Sequence, residues 1–216
     1  MARLRLGVLL SGRGSNLQAL IDAGADPAYP AEIVCVISNR ADAAGIARAE
    51  RARIAHAVVP AGDRRHFATE ADALLRRQRV DLVCLAGFMR LLDTGFVEAW
   101  RDHMVNIHPS LLPAFPGLHA QRQALQAGVR FAGCTVHFVR PAVDTGPIIA
   151  QAVVPVHPED DEASLSARIL TQEHRLYPLA VRLIAEGRVR VAGEHARIAG
   201  WRAPAIAVVN PSETLV

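Results

Sequence analysis

The chain has 216 residues, 51% of them hydrophobic, and a formal net charge of +3. That is apolar mass for one substantial core and little charge for holding a polyanion. Every basic residue is arginine, and the absence of lysine excludes a Walker-type phosphate lysine, a pyridoxal Schiff base and a lysine nucleophile. No apolar run approaches the roughly 20 residues of a membrane helix. No cleavable leader follows Met1-Ala2-Arg3-Leu4-Arg5, and no arginine stripe is interleaved with aromatics. The expectation is a cytoplasmic protein with no membrane and no nucleic-acid partner. Cys35, Cys84 and Cys134 are far apart and each sits in an apolar run, so they read as buried thiols and not as a disulfide or metal set.

Leu4 to Ser11 is a nearly continuous apolar run, the pattern of a strand buried on both faces of a parallel sheet. It breaks at Ser11-Gly12-Arg13-Gly14-Ser15-Asn16 and resumes at helical spacing with Leu17, Leu20 and Ile21. Strand, glycine turn and helix start together make a place where backbone N–H groups meet an anion, with Ser15 or Asn16 available as cap. A dinucleotide fingerprint would need glycine where Leu17 stands and an acid after the second strand, Ile33 to Ser38, which ends in Asn39-Arg40. A nicotinamide cofactor is disfavoured, Arg40 leaves room for a phosphorylated one, and a single phosphate monoester fits better. A glycine turn that only serves the fold is the competing reading.

Helical patterns follow at 43–53 and 65–79, with a short strand at 57–59 between them. The run from Asp81 to Ala86 predicts a further buried strand, ending in Gly87-Phe88-Met89-Arg90-Leu91-Leu92, either core or the wall of a slot for a flat ring. After a short helix at 94–100 comes a strand ending in Asn106-Ile107-His108, followed by a loop pinned by Pro109 and Pro113. The alternation predicts a single-domain α/β fold, a Rossmann-like doubly wound and mainly parallel sheet. Two long runs, 131–139 and 147–155, predict an antiparallel C-terminal extension around a loop that contains Asp144. The longest helical pattern spans 162–186, with Leu165, Ile169, Leu176, Leu179, Leu183 and Ile184 as its stripe, Pro178 as a kink, and Glu173 and His174 on a solvated face. Two short strands at 188–191 and 196–199 follow. The domain is expected over 1–202, with an extended tail over 203–216.

Taken together, Ser11-Gly12-Arg13-Gly14-Ser15-Asn16-Leu17-Gln18, Leu85-Ala86-Gly87-Phe88-Met89-Arg90, Asn106-Ile107-His108-Pro109-Ser110-Leu111-Leu112-Pro113 and Asp144-Thr145-Gly146-Pro147-Ile148-Ile149 resemble the folate-dependent formyltransferases. Among these the chain is similar to the branch acting on phosphoribosylglycinamide (GAR) in purine biosynthesis. The resemblance implies that Asn106, His108 and Asp144 are catalytic and that the backbone from Gly14 through Ser15, Asn16 and Leu17 to Gln18 holds the GAR phosphate, with Glu173 on the same substrate. It implies that Met89, Arg90, Leu91 and Leu92, with Asn106 and the loop Arg140-Pro141-Ala142-Val143-Asp144, enclose the pterin of 10-formyltetrahydrofolate. Arg65, or Arg64 beside it, would contact the folate. No metal is implied, and the partners are GAR and a reduced folate, with the chain a monomer or a homodimer. At Gly133-Cys134-Thr135-Val136-His137 the chain departs from relatives that often have Thr-Ser; a hydroxyl is kept at Thr135.

The chemistry accounts for these residue types. Attack of an amine on a formyl carbon makes a tetrahedral oxyanion and needs donors and a proton carrier, but no covalent enzyme intermediate. Asn106 offers an amide N–H, His108 a donor that also carries protons near neutral pH, and a carboxylate at Asp144 would favour the imidazolium. Against this stand a formyltetrahydrofolate hydrolase, a methionyl-tRNA formyltransferase lacking its RNA-binding domain here, and a nucleotide sensor in which the three residues are incidental.

Overall fold

The apolar runs become the strands of one seven-stranded sheet, with helices on both faces. In this computed structural model residues 2–60, 62–203, 205 and 207–211 are described. Strands β1 (Leu4–Leu10), β2 (Ala31–Ser38), β3 (His56–Val58), β4 (Leu82–Leu85) and β5 (Met104–His108) are parallel neighbours in the order β3-β2-β1-β4-β5. Strands β6 (Phe131–Phe138) and β7 (Ile148–Pro155) extend the sheet antiparallel beyond β5. The doubly wound fold with its antiparallel extension is the one the patterning predicts. The chain winds outward from β1 to β3 and then returns to β4, so a topological switch lies between the carboxyl ends of β1 and β4. Open sheets bind ligands there.

Period-two alternation sorts the core. Leu6, Val8 and Leu10 of β1 pack with Leu17 and Leu20 of α1 (Ser15–Gly24) and with Tyr177 and Val181 of α6 (Glu162–Ala185). Leu9 faces the other way, towards Phe67 and Leu75 of α3 (Arg64–Arg77), Phe96 of α4 (Thr94–Ala99) and Trp100. Gly7 also faces that layer, where a Cβ would come within 2.3 Å of Leu75 Cδ2. Helices α2 (Ala44–Arg51) and α5 (Ala120–Gln126) complete the layers. The three thiols are buried, and burial pushes Cys35 up to about 11 and Cys84 and Cys134 up to about 12, so they are inert.

Helix α6 differs from its predicted stripe. Leu179 is 47% exposed, whereas Tyr177, Ala180 and Val181 face the sheet. Tyr177 takes the inner position because its ring fills the layer and its Oη–H reaches Leu85 O (3.0 Å) at the end of β4 and Val105 O (3.2 Å) within β5. The helix runs on through Pro178, whose carbonyl accepts from Tyr29 Oη at 2.8 Å. Beyond α6, β8 (Val189–Ala192) and β9 (His195–Ile198) form a separate two-stranded sheet. Of the expected tail, residues 203, 205 and 207–211 form no helix or strand; 204, 206 and 212–216 lie outside the described residues.

Replacing Tyr177 by Phe keeps the ring and removes the hydroxyl shared by β4 and β5. The unfolding free energy is expected to fall by about 1 kcal/mol in urea titration, with the native circular dichroism retained.

Candidate active site

Two residues apart on β5, Asn106 and His108 project to the same face of the sheet, at its carboxyl end. Pro109 then turns the chain away, and the Thr135 hydroxyl on the neighbouring strand ties the turn down. Thr135 Oγ1 donates to Ser110 O (2.7 Å) and accepts from Leu112 N–H (3.1 Å) and Gln151 Nε2 (3.0 Å). The Leu112-Pro113 peptide is cis.

The loop between β6 and β7 folds back over this strand end and brings Asp144 to the imidazole. Asp144 Oδ2 is 3.3 Å from His108 Nδ1, and the same oxygen accepts from the Gly117 N–H at 2.7 Å. Both side chains are nearly buried, at 7% and 11% exposure. His108 Nε2 lies 3.0 Å from the Phe115 carbonyl, so both ring nitrogens face acceptors, which an imidazolium satisfies. Asp144, Phe115 and His119 all have φ between 53° and 59°, left-handed backbone in non-glycine residues, concentrated where the two loops meet.

Sequence reasoning did not single out His137. It is buried, and its Nδ1 lies 2.9 Å from Phe138 O, so Nδ1 carries the proton. Nε2 is then an acceptor for Asn106 Nδ2 at 3.3 Å. Burial lowers the His137 pKa, against the raising pull of the Phe138 carbonyl and Asp144, with the charge of His108 adding to the lowering. A neutral His137 fixes which end of the Asn106 amide is nitrogen. Its signal was the β6 alternation, which sets residue 137 opposite Asn106.

At the end of β1, Gly14 is the N-cap of α1 at φ 69°, and a Cβ there would lie 2.6 Å from the Gly45 Cα. No side chain caps this helix, contrary to the expectation for Ser15 or Asn16. Asn16 is occupied elsewhere: its Nδ2 donates to Glu173 Oε2 at 2.7 Å, and its buried Oδ1 has no partner among the described residues. The first-turn N–H groups of α1 therefore stand uncapped beside Glu173. Glu173 is 7% exposed, a correction to its expected solvated face. The signal was its four-residue spacing from Ile169 and Leu165, which places it on the buried stripe. Burial raises the Glu173 pKa, while the Asn16 amide and the Arg13 charge pull it down.

The loop after β4 is not core at its tip. Met89 is 66% exposed and Leu91 53%, with Ser11 Oγ accepting from Met89 N–H at 2.9 Å. Val143 and Leu118 add exposed apolar surface from the facing loops, and Pro141 and Ala142 are exposed too. Of the two arginines at the start of α3, Arg64 shares a small cleft with Phe67, Phe88, Arg90 and Leu91, and Arg65 lies outside it. The Arg140 side chain is turned to Glu194 and Asp102, so this position offers a ligand its backbone. A larger cavity, about 470 Å³, is lined by Arg76, Arg79, Trp100 and His103 at the amino ends of β4 and β5, away from this cluster. No group of His, Cys, Asp and Glu suited to a metal occurs among the described residues.

An open α/β sheet with an amide, an imidazole and a carboxylate at its carboxyl edge, beside an uncapped helix start, defines a group-transfer type of site. The chain belongs to the formyl transferase family, whose model matches residues 4–181. It is 42% identical over 212 residues to the phosphoribosylglycinamide formyltransferase of Haemophilus influenzae, covering 95% of this chain and 99% of that protein. It is 52% identical over 197 residues to the trifunctional purine biosynthetic protein adenosine-3 of Drosophila pseudoobscura pseudoobscura, covering 89% of this chain and spanning 14% of that relative's length. The crystal structure of glycinamide ribonucleotide transformylase 1 from Symbiobacterium toebii superposes with a TM-score of 0.88 at 50% identity, over 91% of this chain and 94% of that one.

A raised carboxyl pKa has a consequence for stability. The folded chain keeps a proton on Glu173 that the unfolded chain loses above a pKa of about 4.3, so this contribution is full below that pH and is lost as pH rises through the folded value. Glu173→Gln keeps an acceptor for Asn16 and cannot ionise. It is expected to be more stable than the parent near neutral pH, with the gap closing towards pH 4 in urea titrations. A gap independent of pH would contradict the burial argument.

Proposed function

We propose that the chain transfers the formyl group of 10-formyltetrahydrofolate to the amine of GAR in purine biosynthesis. The carrying observation is the convergence of Asn106, His108 and Asp144 at one strand end. The amine nitrogen attacks the formyl carbon, and the carbonyl oxygen becomes an oxyanion. Asn106 Nδ2–H donates to that oxygen, His108 Nε2–H joins it by exchanging the Phe115 carbonyl for the oxyanion, and Asp144 holds the ring at Nδ1. A proton passes from the attacking nitrogen to N10 of the folate, and the carbon–N10 bond breaks.

The remaining surfaces suit the two substrates. Uncapped N–H groups from Ser15 to Leu17 suit a phosphate monoester at the start of α1, the Gln18 N–H being taken by the Gly14 carbonyl. Glu173, buried beside Asn16, suits a polar or cationic group of the same substrate. Met89 to Leu92 and residues 140–144 suit the pterin, with Arg64 better placed than Arg65 to meet the folate. We take residues 1–202 as the catalytic domain, working in the cytoplasm without a metal, as a monomer or homodimer. No helix among the described residues is long and apolar enough to cross a membrane.

The test is product formation from GAR and 10-formyltetrahydrofolate, against formate release without GAR and against formylation of methionyl-tRNA. Formyl-GAR is the expected product, and formate release alone would replace the proposal with a hydrolase. His108→Ala is expected to lower kcat on the order of 10²-fold or more with the fold intact; near-normal turnover would remove His108 from the mechanism.

A further inference from the structure

The loop that carries Asp144 is closed at its neck and pinned at its base. Phe138 N–H donates to Pro147 O at 2.9 Å, and a Cβ on Gly146 would lie 1.7 Å from Phe138 O, so the loop's ends press together. Just inside the neck sits Arg140, 8% exposed. Its guanidinium donates through Nε to Glu194 Oε2 (2.8 Å), through Nη2 to Asp102 Oδ1 (2.8 Å) and through Nη1 to Val139 O (3.1 Å). Glu194 lies in the turn between β8 and β9, and its other oxygen accepts from Arg101 Nη2 at 2.8 Å. Segments at 101–102, 140 and 194 therefore meet at one buried cation.

A planar guanidinium fork is suited to two carboxylates at once, and a buried charge stripped of its partners is strongly unfavourable. The proposed chemistry uses only the backbone of residue 140 and none of the side chains in this cluster. Its place at the root of the Asp144 loop gives it a use.

We infer that Arg140, clamped by Glu194 and Asp102, is a positioning residue that holds the 140–146 loop so that Asp144 meets His108 and Gly117. The two-stranded β8–β9 sheet, outside residues 4–181 matched by the family, is then a working part of the site through Glu194. This rests on the proposed role of Asp144.

Arg140→Met in the full chain tests it. The substitution keeps an apolar stem and frees two carboxylates whose side chains are already 40% and 57% exposed. The direct readout is hydrogen exchange of the Gly117 amide, which donates to Asp144, followed by NMR without substrate. The expected result is exchange faster by about tenfold. In kinetics, kcat/KM for the formyl donor is expected to fall about tenfold, because small misplacements of catalytic groups are costly. The KM for GAR stays unchanged, and Arg140→Lys recovers part of the loss. Unchanged Gly117 exchange with a lowered thermal midpoint would reduce the cluster to a structural clamp and overturn the inference. So would a loosened Gly117 amide with unaltered kinetics. Should Arg140→Met fail to fold, Glu194→Gln carries the same readouts at a milder perturbation. A parent protein unable to use GAR would sink the proposed function, whereas the exchange measurement reports on the loop either way.

Discussion

The site depends on one contact, between the Asp144 carboxylate and the His108 imidazole at 3.3 Å. Local sequence puts His108 at a strand end and Asp144 in a loop, but it does not bring the two together. His108 reaches the strand end because β5 is a buried central strand, and Asp144 reaches it because β6 pairs antiparallel to β5 with Thr135 opposite His108. The loop must then reverse over the sheet, which costs a left-handed residue at Asp144 itself. Aspartate tolerates that backbone better than most residues, and the Gly117 N–H offsets part of the cost by bonding the carboxylate.

A second constraint acts across the sheet's switch point. Helices α1 and α6 pack side by side, and the Asn16–Glu173 hydrogen bond joins them beneath the uncapped start of α1. A capping side chain at Ser15 or Asn16 would have satisfied those N–H groups internally and left nothing for an anion. With Asn16 drawn to Glu173 and glycine at the cap, the helix start stays open. The same bond gives a partner to a carboxyl group that helix spacing already places on the buried stripe.

Much of this was legible in the sequence because it is periodic. The continuous apolar run of Leu4–Leu10 and the run into Asn106 and His108 report burial directly, whereas the glycine turn after β1 signals a close approach without saying that α2 is what it meets. Glu173 was legible by spacing, yet its charge argued for solvent, and only the partner amide on a distant helix resolves the conflict. Leu179 misled because leucine is apolar in either orientation, and a tyrosine with two carbonyls to reach took the inner face. Arg140 carried no local signal at all. Its two carboxylates come from a turn before β5 and a hairpin beyond α6, and such a convergence is a property of topology, not of any window of residues.

Two histidines lie in one small site, and their neighbours give them opposite hydrogen-bond partners. His108 has an acceptor at each ring nitrogen, a carboxylate and a carbonyl, so a proton on both satisfies every contact. His137 has a carbonyl at one nitrogen and, at the other, the Asn106 amide with Asp144 Oδ1 farther off at 3.8 Å, so the neutral ring satisfies its hydrogen bonds. Burial favours that neutral state, and a positive charge on His108 favours it again by repulsion. The hydrogen-bond partners of the two rings are therefore complementary: acceptors around His108, and a donor at His137 Nε2. The result is an amide donor at Asn106 whose orientation is set by His137 before any substrate arrives, as the proposed oxyanion would require.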